Sequence, residues 1–120
     1  MSNNAKQNQC ELILSRFALD VLAELYRQIQ VERHNPVDNA AHQAGELALA
    51  ATCYADEAIT QICCPARDPY LTHLVPGWWP LEHSWWKPSL DARKNLVKAA
   101  ALLIAQGDVI DQQSNADLGG

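Results

Sequence analysis

The placement of its prolines limits this chain more than any other feature. There are six: Pro36, Pro65, Pro69, Pro76, Pro80 and Pro88. Proline has no backbone N–H to give a helix, and the residue before it avoids helical angles. Helix is therefore confined to three stretches: before Pro36, between Pro36 and Pro65, and after Pro88. Each stretch carries apolar residues at steps of three and four, the repeat of an amphipathic helix.

The first helix is predicted over residues 11–31, with Leu14, Ala18, Val21, Leu25 and Ile29 as its stripe, widened by Phe17 and Leu22. The second is predicted over residues 40–63, capped by Asp38 or Asn39, with a stripe of Leu47, Ala51, Tyr54, Ala58 and Ile62. Ala44, Ala48, Ala51 and Ala55 form an adjoining small-residue face that lets a partner helix approach closely. The third starts after Pro88 with Ser89 as N-cap, and its stripe is Leu96, Val97, Ala100, Leu103 and Ile104. Gly107 is either its stop or a weak point that it crosses to reach Ile110. The expected fold is all-α: a small three-helix bundle with a long loop between helices two and three, completed as a homodimer through leftover alanine and leucine surface. The 120 residues make one domain, residues 10–111, between polar ends expected to be disordered at 1–9 and 112–120.

Residues 66–88 form the loop, and all four tryptophans lie in it: Trp78, Trp79, Trp85 and Trp86. A loop this long is functional or disordered as a rule. Tryptophan needs a large area of apolar contact, which argues for a loop folded back onto the helices. At least two of the four are expected to plug the core.

A net charge of −5 argues against a nucleic-acid binder, whose affinity comes mostly from neutralising phosphates. No apolar run reaches the length of a membrane span. The four cysteines, Cys10, Cys53, Cys63 and Cys64, include no C-x-x-C pair, and two are adjacent. That pattern fits reduced thiols in the cytoplasm rather than a disulfide framework. Cys63 and Cys64 fall near a helix C-terminus, where the dipole disfavours a thiolate, so they read as packing residues.

Two constellations could carry chemistry. The first is Trp79, Trp85 and Trp86 with Lys87, Arg93 and Lys94. Indole faces stack on nucleobases or cations, and the basic side chains can hold a phosphate near a helix N-terminus. The set suits a nucleotide-like small molecule. The second is Glu24, His42 and Glu46. His42 and Glu46 are four residues apart on one helical face, and Glu24 is on the first helix, expected to lie antiparallel beside the second. Carboxylates and histidines on facing helices build divalent-metal sites. The competing reading pairs Glu24 with Arg27 or Gln28 and leaves His42 and Glu46 solvated.

Several stretches together resemble a set of small phage and prophage proteins. They are Glu24 with Arg27-Gln28, His42, Gly45-Glu46-Leu47-Ala48, Ala50-Ala51, Tyr54-Ala55, Trp79-Pro80, Trp85-Trp86-Lys87-Pro88, and Arg93 through Leu102. The W-P…W-W-K-P loop followed by L-V-K-A is the most specific part. The resemblance implies a phage or prophage origin and brings no activity with it. More distantly, the first two helices are similar to MazG-like all-α nucleotide pyrophosphohydrolases, which hold magnesium on paired helices. That similarity would make Glu24, Glu46 and His42 metal ligands. The chain lacks the E-E-x-x-E cluster and the later E-x-x-D of those enzymes. An acidic pair of the phage pattern falls on Asn39-Ala40 and a late glutamate on Gln106.

The expected function is therefore a cofactor-free phage accessory protein that acts by binding. It would sequester a nucleotide-like small molecule or inhibit a host defence protein. The alternative is a magnesium-dependent nucleotide pyrophosphohydrolase.

Overall fold

A computed structural model of the protein describes residues 14–31 and 45–119. Three helices carry the fold: α1 (Arg16–Val31), α2 (Glu46–Cys63) and α3 (Ala92–Gly119). Two short 3-10 turns, Pro69–His73 and His83–Trp85, lie in the connection between α2 and α3. Among the described residues there is no strand, so the all-α three-helix architecture is the one the proline placement predicts.

Helix boundaries follow local chemistry. Ser15 starts α1: its carbonyl accepts from Leu19 N at 3.0 Å and its hydroxyl from Ala18 N at 3.1 Å. The predicted start at residue 11, and the predicted caps of α2 at Asp38 and Asn39, lie outside the described residues. α2 begins at Glu46 rather than residue 40, because Gly45 sits at φ 86, in the left-handed region, and no helix continues through that angle. Asp91, two residues after the expected Ser89, caps α3. Its carboxylate accepts from Arg93 N at 2.9 Å, while the Ser89 hydroxyl accepts from Asp91 N at 3.0 Å. The end of α3 also departs from expectation. The helix crosses Gly107 and continues through residues 112–119, which the sequence assigns to a polar tail. Buried Gln106 and Val109 on either side of Gly107 hold the helix to its neighbours, and no proline follows.

α3 is the central element, and α1 and α2 each pack chiefly on it rather than on each other. Its two sides feed two clusters. Ala99, Leu102, Ala105 and Val109 pack with Leu47, Ala50, Ala51, Cys53 and Tyr54 of α2 and with Trp79 and Trp86 of the loop. Val97 and Ala101 pack with Val21 of α1, joined by Phe17 and Leu25. Serving two partners turns Leu103 and Ile104 outward, so the stripe predicted for α3 is only partly interior. Leu14, Leu22 and Ile62 of the other predicted stripes are exposed as well. The α2–α3 seam is lined with alanine, which permits close backbone approach. The buried Gln106 Oε1 crosses it to accept from Ala48 N at 3.1 Å, satisfying a donor in the first turn of α2.

The connection is ordered by side chains, because it has no extended ladder of its own. Trp79 and Trp86 are buried, and with Tyr54 they form a three-ring cluster with centroids 4.7 to 5.7 Å apart. Edge-to-face and tilted geometries of this kind suit the aromatic quadrupole. Each indole N–H finds a carbonyl: Trp79 donates to Glu82 O at 2.9 Å and Trp86 to Thr72 O at 3.3 Å. Arg67 donates to Glu57 of α2, and the buried Thr72 hydroxyl completes that pair, donating to Glu57 at 2.9 Å. A second polar anchor centres on Asn95, which is fully buried. Its Oδ1 accepts from Ser89 N at 2.8 Å, and its Nδ2 donates to Ser89 O and to Gln61 Oε1, both at 2.9 Å.

Candidate functional site

One groove gathers most of the chain's positive charge. It runs between α1 and the first turns of α3 and ends under the tryptophan loop. The outer part, about 270 Å³, is lined by Asp20, Glu24, Arg93, Lys94, Val97 and Lys98. The inner part is a cavity of about 20 Å³ bounded on its polar side by Glu24, Arg27, Gln28, Lys87 and Lys98 and on its apolar side by Tyr54, Trp79, Leu81, Trp85 and Leu102. Glu24 and Lys98 belong to both parts. Five cations therefore meet two carboxylates here, in a chain with only nine Lys and Arg and a net charge of −5.

Helical spacing explains the gathering. Lys94 and Lys98 are four apart on α3 and share a face, as do Glu24, Arg27 and Gln28 on α1. Arg27 grips Glu24 through two bonds, of 2.8 and 2.7 Å, and Gln28 Nε2 donates to Glu24 Oε2 at 3.0 Å. Burial pushes the Glu24 carboxyl up, but the hydrogen bonds from Arg27 and Gln28 and the charges of Arg27 and Lys98 outweigh it. The net pKa lies below the ordinary carboxylate value. Arg93 crosses to α1, donating to Asp20 at 2.8 Å with its guanidinium 5.3 Å from the Phe17 ring centroid. Lys98 donates to Lys87 O and lies 5.6 Å from the Tyr54 ring centroid. The Tyr54 hydroxyl ties the loop down, accepting from Lys87 N at 3.1 Å and donating to Trp85 O at 3.4 Å.

The sequence-predicted residues divide in this geometry. Lys87, Arg93 and Lys94 do line the groove, joined by Arg27 and Lys98. Trp79 and Trp86 are core residues at 8% and 7% exposure, which leaves little of either face for a ligand. Trp85, at 40% exposure, borders the inner cavity and keeps an accessible face. Of the metal trio, Glu24 is the carboxylate already held by Arg27 and Gln28, Glu46 opens α2, and His42 lies outside the described residues. Among the described residues no three His, Cys, Asp or Glu side chains group as metal ligands. Arg27 and Gln28 entered the sequence reading only as partners of Glu24, and Tyr54 only as core. Their part in the groove comes from the docking of α1 on α3, which no spacing within one helix reveals.

The thiols carry no visible chemistry. Cys53 is buried against α3, and burial, with the nearby Asp56 charge, pushes its pKa up to about 11. Cys63 and Cys64 are exposed. A maleimide at neutral pH is expected to label Cys63 and Cys64 within minutes and to leave Cys53 unlabelled until denaturant is added, as read by peptide mass spectrometry. Equal labelling of Cys53 would mean that the α2–α3 seam opens readily.

Fold and site together define a small all-α protein with one cationic, aromatic-edged groove; among the described residues no helix is long and apolar enough to cross a membrane. Compared with known proteins, the chain matches no family model, no curated protein and no solved structure.

Proposed function

We propose that the protein is a binding protein for a small anionic ligand with an aromatic ring, of nucleotide type, and that it acts by holding this ligand rather than converting it. The observation that carries the reading is the clustering of five of the chain's nine cations in one groove at the foot of an exposed tryptophan. The outer groove approaches the lower end of the size range of small-molecule sites, enough for a phosphate and sugar. Lys94 and Lys87 would take the anion, Arg93 would flank it, and the Trp85 face would stack on the ring. The phage-protein resemblance adds the setting, a host-cell cytoplasm in which capture of a nucleotide-like signal or substrate is useful to a phage. A homodimer fits the same reading, because Leu19, Leu22 and Tyr26 leave an apolar stripe on the outer face of α1.

The pyrophosphohydrolase reading has weaker support. Magnesium favours several carboxylate, water or phosphate oxygens, and Glu24 is bracketed by Arg27 and Lys98, which compete with a cation for its oxygens. Inhibition of a host defence protein remains the alternative in which Trp78 and Trp85 dock on a protein surface.

The test is equilibrium titration with nucleoside mono- and diphosphates, followed by tryptophan fluorescence and calorimetry. Binding should weaken steadily with added salt, since the contacts are charged and half-exposed. Lys94→Ala should weaken it about tenfold, the effect of one charge-assisted contact. The ligand should be recovered unchanged, with or without chelator. Absence of binding at low salt, or an affinity indifferent to both salt and Lys94→Ala, would overturn the proposal.

A further inference from the structure

We infer that the inner cavity recognises an amino group on the bound anion and that Gln28 is the residue that reads it. This rests on the anion-binding reading above and names the ligand class more narrowly. The starting observation is an orphaned acceptor. Gln28 is 3% exposed, and its Oε1 is buried with no hydrogen-bond partner among the described residues. The amide cannot simply be turned round. Its Nε2 donates to Glu24 Oε2 at 3.0 Å, and exchanging the two ends would set a carbonyl oxygen against a carboxylate. Oε1 is therefore the unpaired end for an electrostatic reason. Buried polar atoms without a partner are rare in native folds, and each calls for a cause.

The surroundings supply one. Gln28 lines the inner cavity, whose volume of about 20 Å³ admits one water-sized group. An amino group has that size, whereas a phosphate or a whole ring does not. The hydrogen-bonding atoms that α1 offers here include two acceptors, Gln28 Oε1 and the Glu24 carboxylate, and the aromatic rings of Tyr54, Trp79 and Trp85 flank them. Arg27, Lys87 and Lys98 border the cavity too, so the demand for an N–H donor is local to Gln28 Oε1, the one buried side-chain acceptor there, among the described residues, that these cations leave unpaired. Because the cavity and the outer groove share Glu24 and Lys98, a ligand anchored by its anion at Lys94 directs its other end towards Gln28. The class is then an amino-substituted aromatic ring carrying a phosphate, preferred over the same molecule without the amino group.

The experiment compares three probes on the full chain: adenosine monophosphate, purine riboside monophosphate, which differs only in lacking the amino group, and inorganic phosphate. The amino nucleotide should bind about tenfold tighter than its deamino counterpart, which leaves Oε1 unpaired. Gln28→Met keeps the length of the side chain and removes the carbonyl. It should bring that ratio to about one, the loss of the Nε2 bond to Glu24 affecting both nucleotides alike. Circular dichroism checks that the variant folds, and should it not fold, the ratio in the unaltered protein decides alone. Equal affinity for the two nucleotides in the unaltered protein overturns the inference and leaves anion binding intact. If neither nucleotide nor phosphate binds, both readings fall.

Discussion

Trp86→Ala is expected to lower the unfolding free energy by about 3–5 kcal/mol, the range for removing a buried large aromatic. The side chain is 7% exposed and packs at 4.7 Å from Tyr54 and 5.1 Å from Trp79, centroid to centroid. Truncation would empty the middle of the three-ring cluster and remove the indole donor that Thr72 O accepts. Domains of this size are stable by about 5–15 kcal/mol, so the loss is a large share of the whole. Trp85→Ala provides the contrast. Trp85 is 40% exposed, and its removal should cost about 1 kcal/mol of stability or less while lowering nucleotide affinity by tenfold or more. Urea unfolding followed by circular dichroism measures the first quantity and calorimetric titration the second. A Trp86→Ala variant as stable as the parent would show that the loop is not part of the core.

Asn95→Leu should cost about 2–4 kcal/mol although it exchanges a polar side chain for an apolar one of similar size in a fully buried position. The reason is what the substitution leaves behind. Ser89 N and Gln61 Oε1 would lose their Asn95 partners, and Ser89 O would keep only its 2.9 Å bond from Gln61. Loss of these bonds frees the segment between Pro88 and α3 from α2, and with it the approach to the groove. Asn95→Asp separates this account from simple packing. The ionised carboxylate would face two acceptors, Ser89 O and Gln61 Oε1, so it should be destabilising at neutral pH. Protonation restores a donor, so stability relative to the parent at the same pH should recover on acidification. Urea midpoints at pH near 7 and near 4 read the difference. No recovery would mean that the hydrogen bonds of Asn95 matter less than its shape.

How far the sequence could be read differed from element to element. Val21, Leu47, Ala51, Tyr54 and Ala58 were identifiable as interior because each lies on a single stripe facing a single partner. Leu103 and Ile104 misled because α3 has two partners, and a helix buried on two sides has no single stripe to recognise. Gly107 could be read either way from the sequence. The helix passes it because Gln106 and Val109 are held from outside the helix, which local propensity does not record. Among the tryptophans, the expectation that at least two would plug the core agrees with Trp79 and Trp86, but composition gave no means of telling them from Trp78 and Trp85. That choice depends on which indoles reach Tyr54 and a free carbonyl.

The same division holds for the groove. Lys94 and Lys98 are visible as one basic face, since residues three and four apart on one helix share a face whatever surrounds them. Glu24 with Arg27 and Gln28 is visible for the same reason. Their meeting is not, because it depends on α1 docking against α3 when chain order suggested α2. By itself, the sequence determined where helices could form and which residues each helix would present together, because prolines and helical periodicity act over a few residues. Only the tertiary structure decided which faces were buried and which tryptophans became core, and it alone brought Gln28 to the cavity beneath the cations. Those outcomes depend on packing between segments tens of residues apart, and no local rule carries that information.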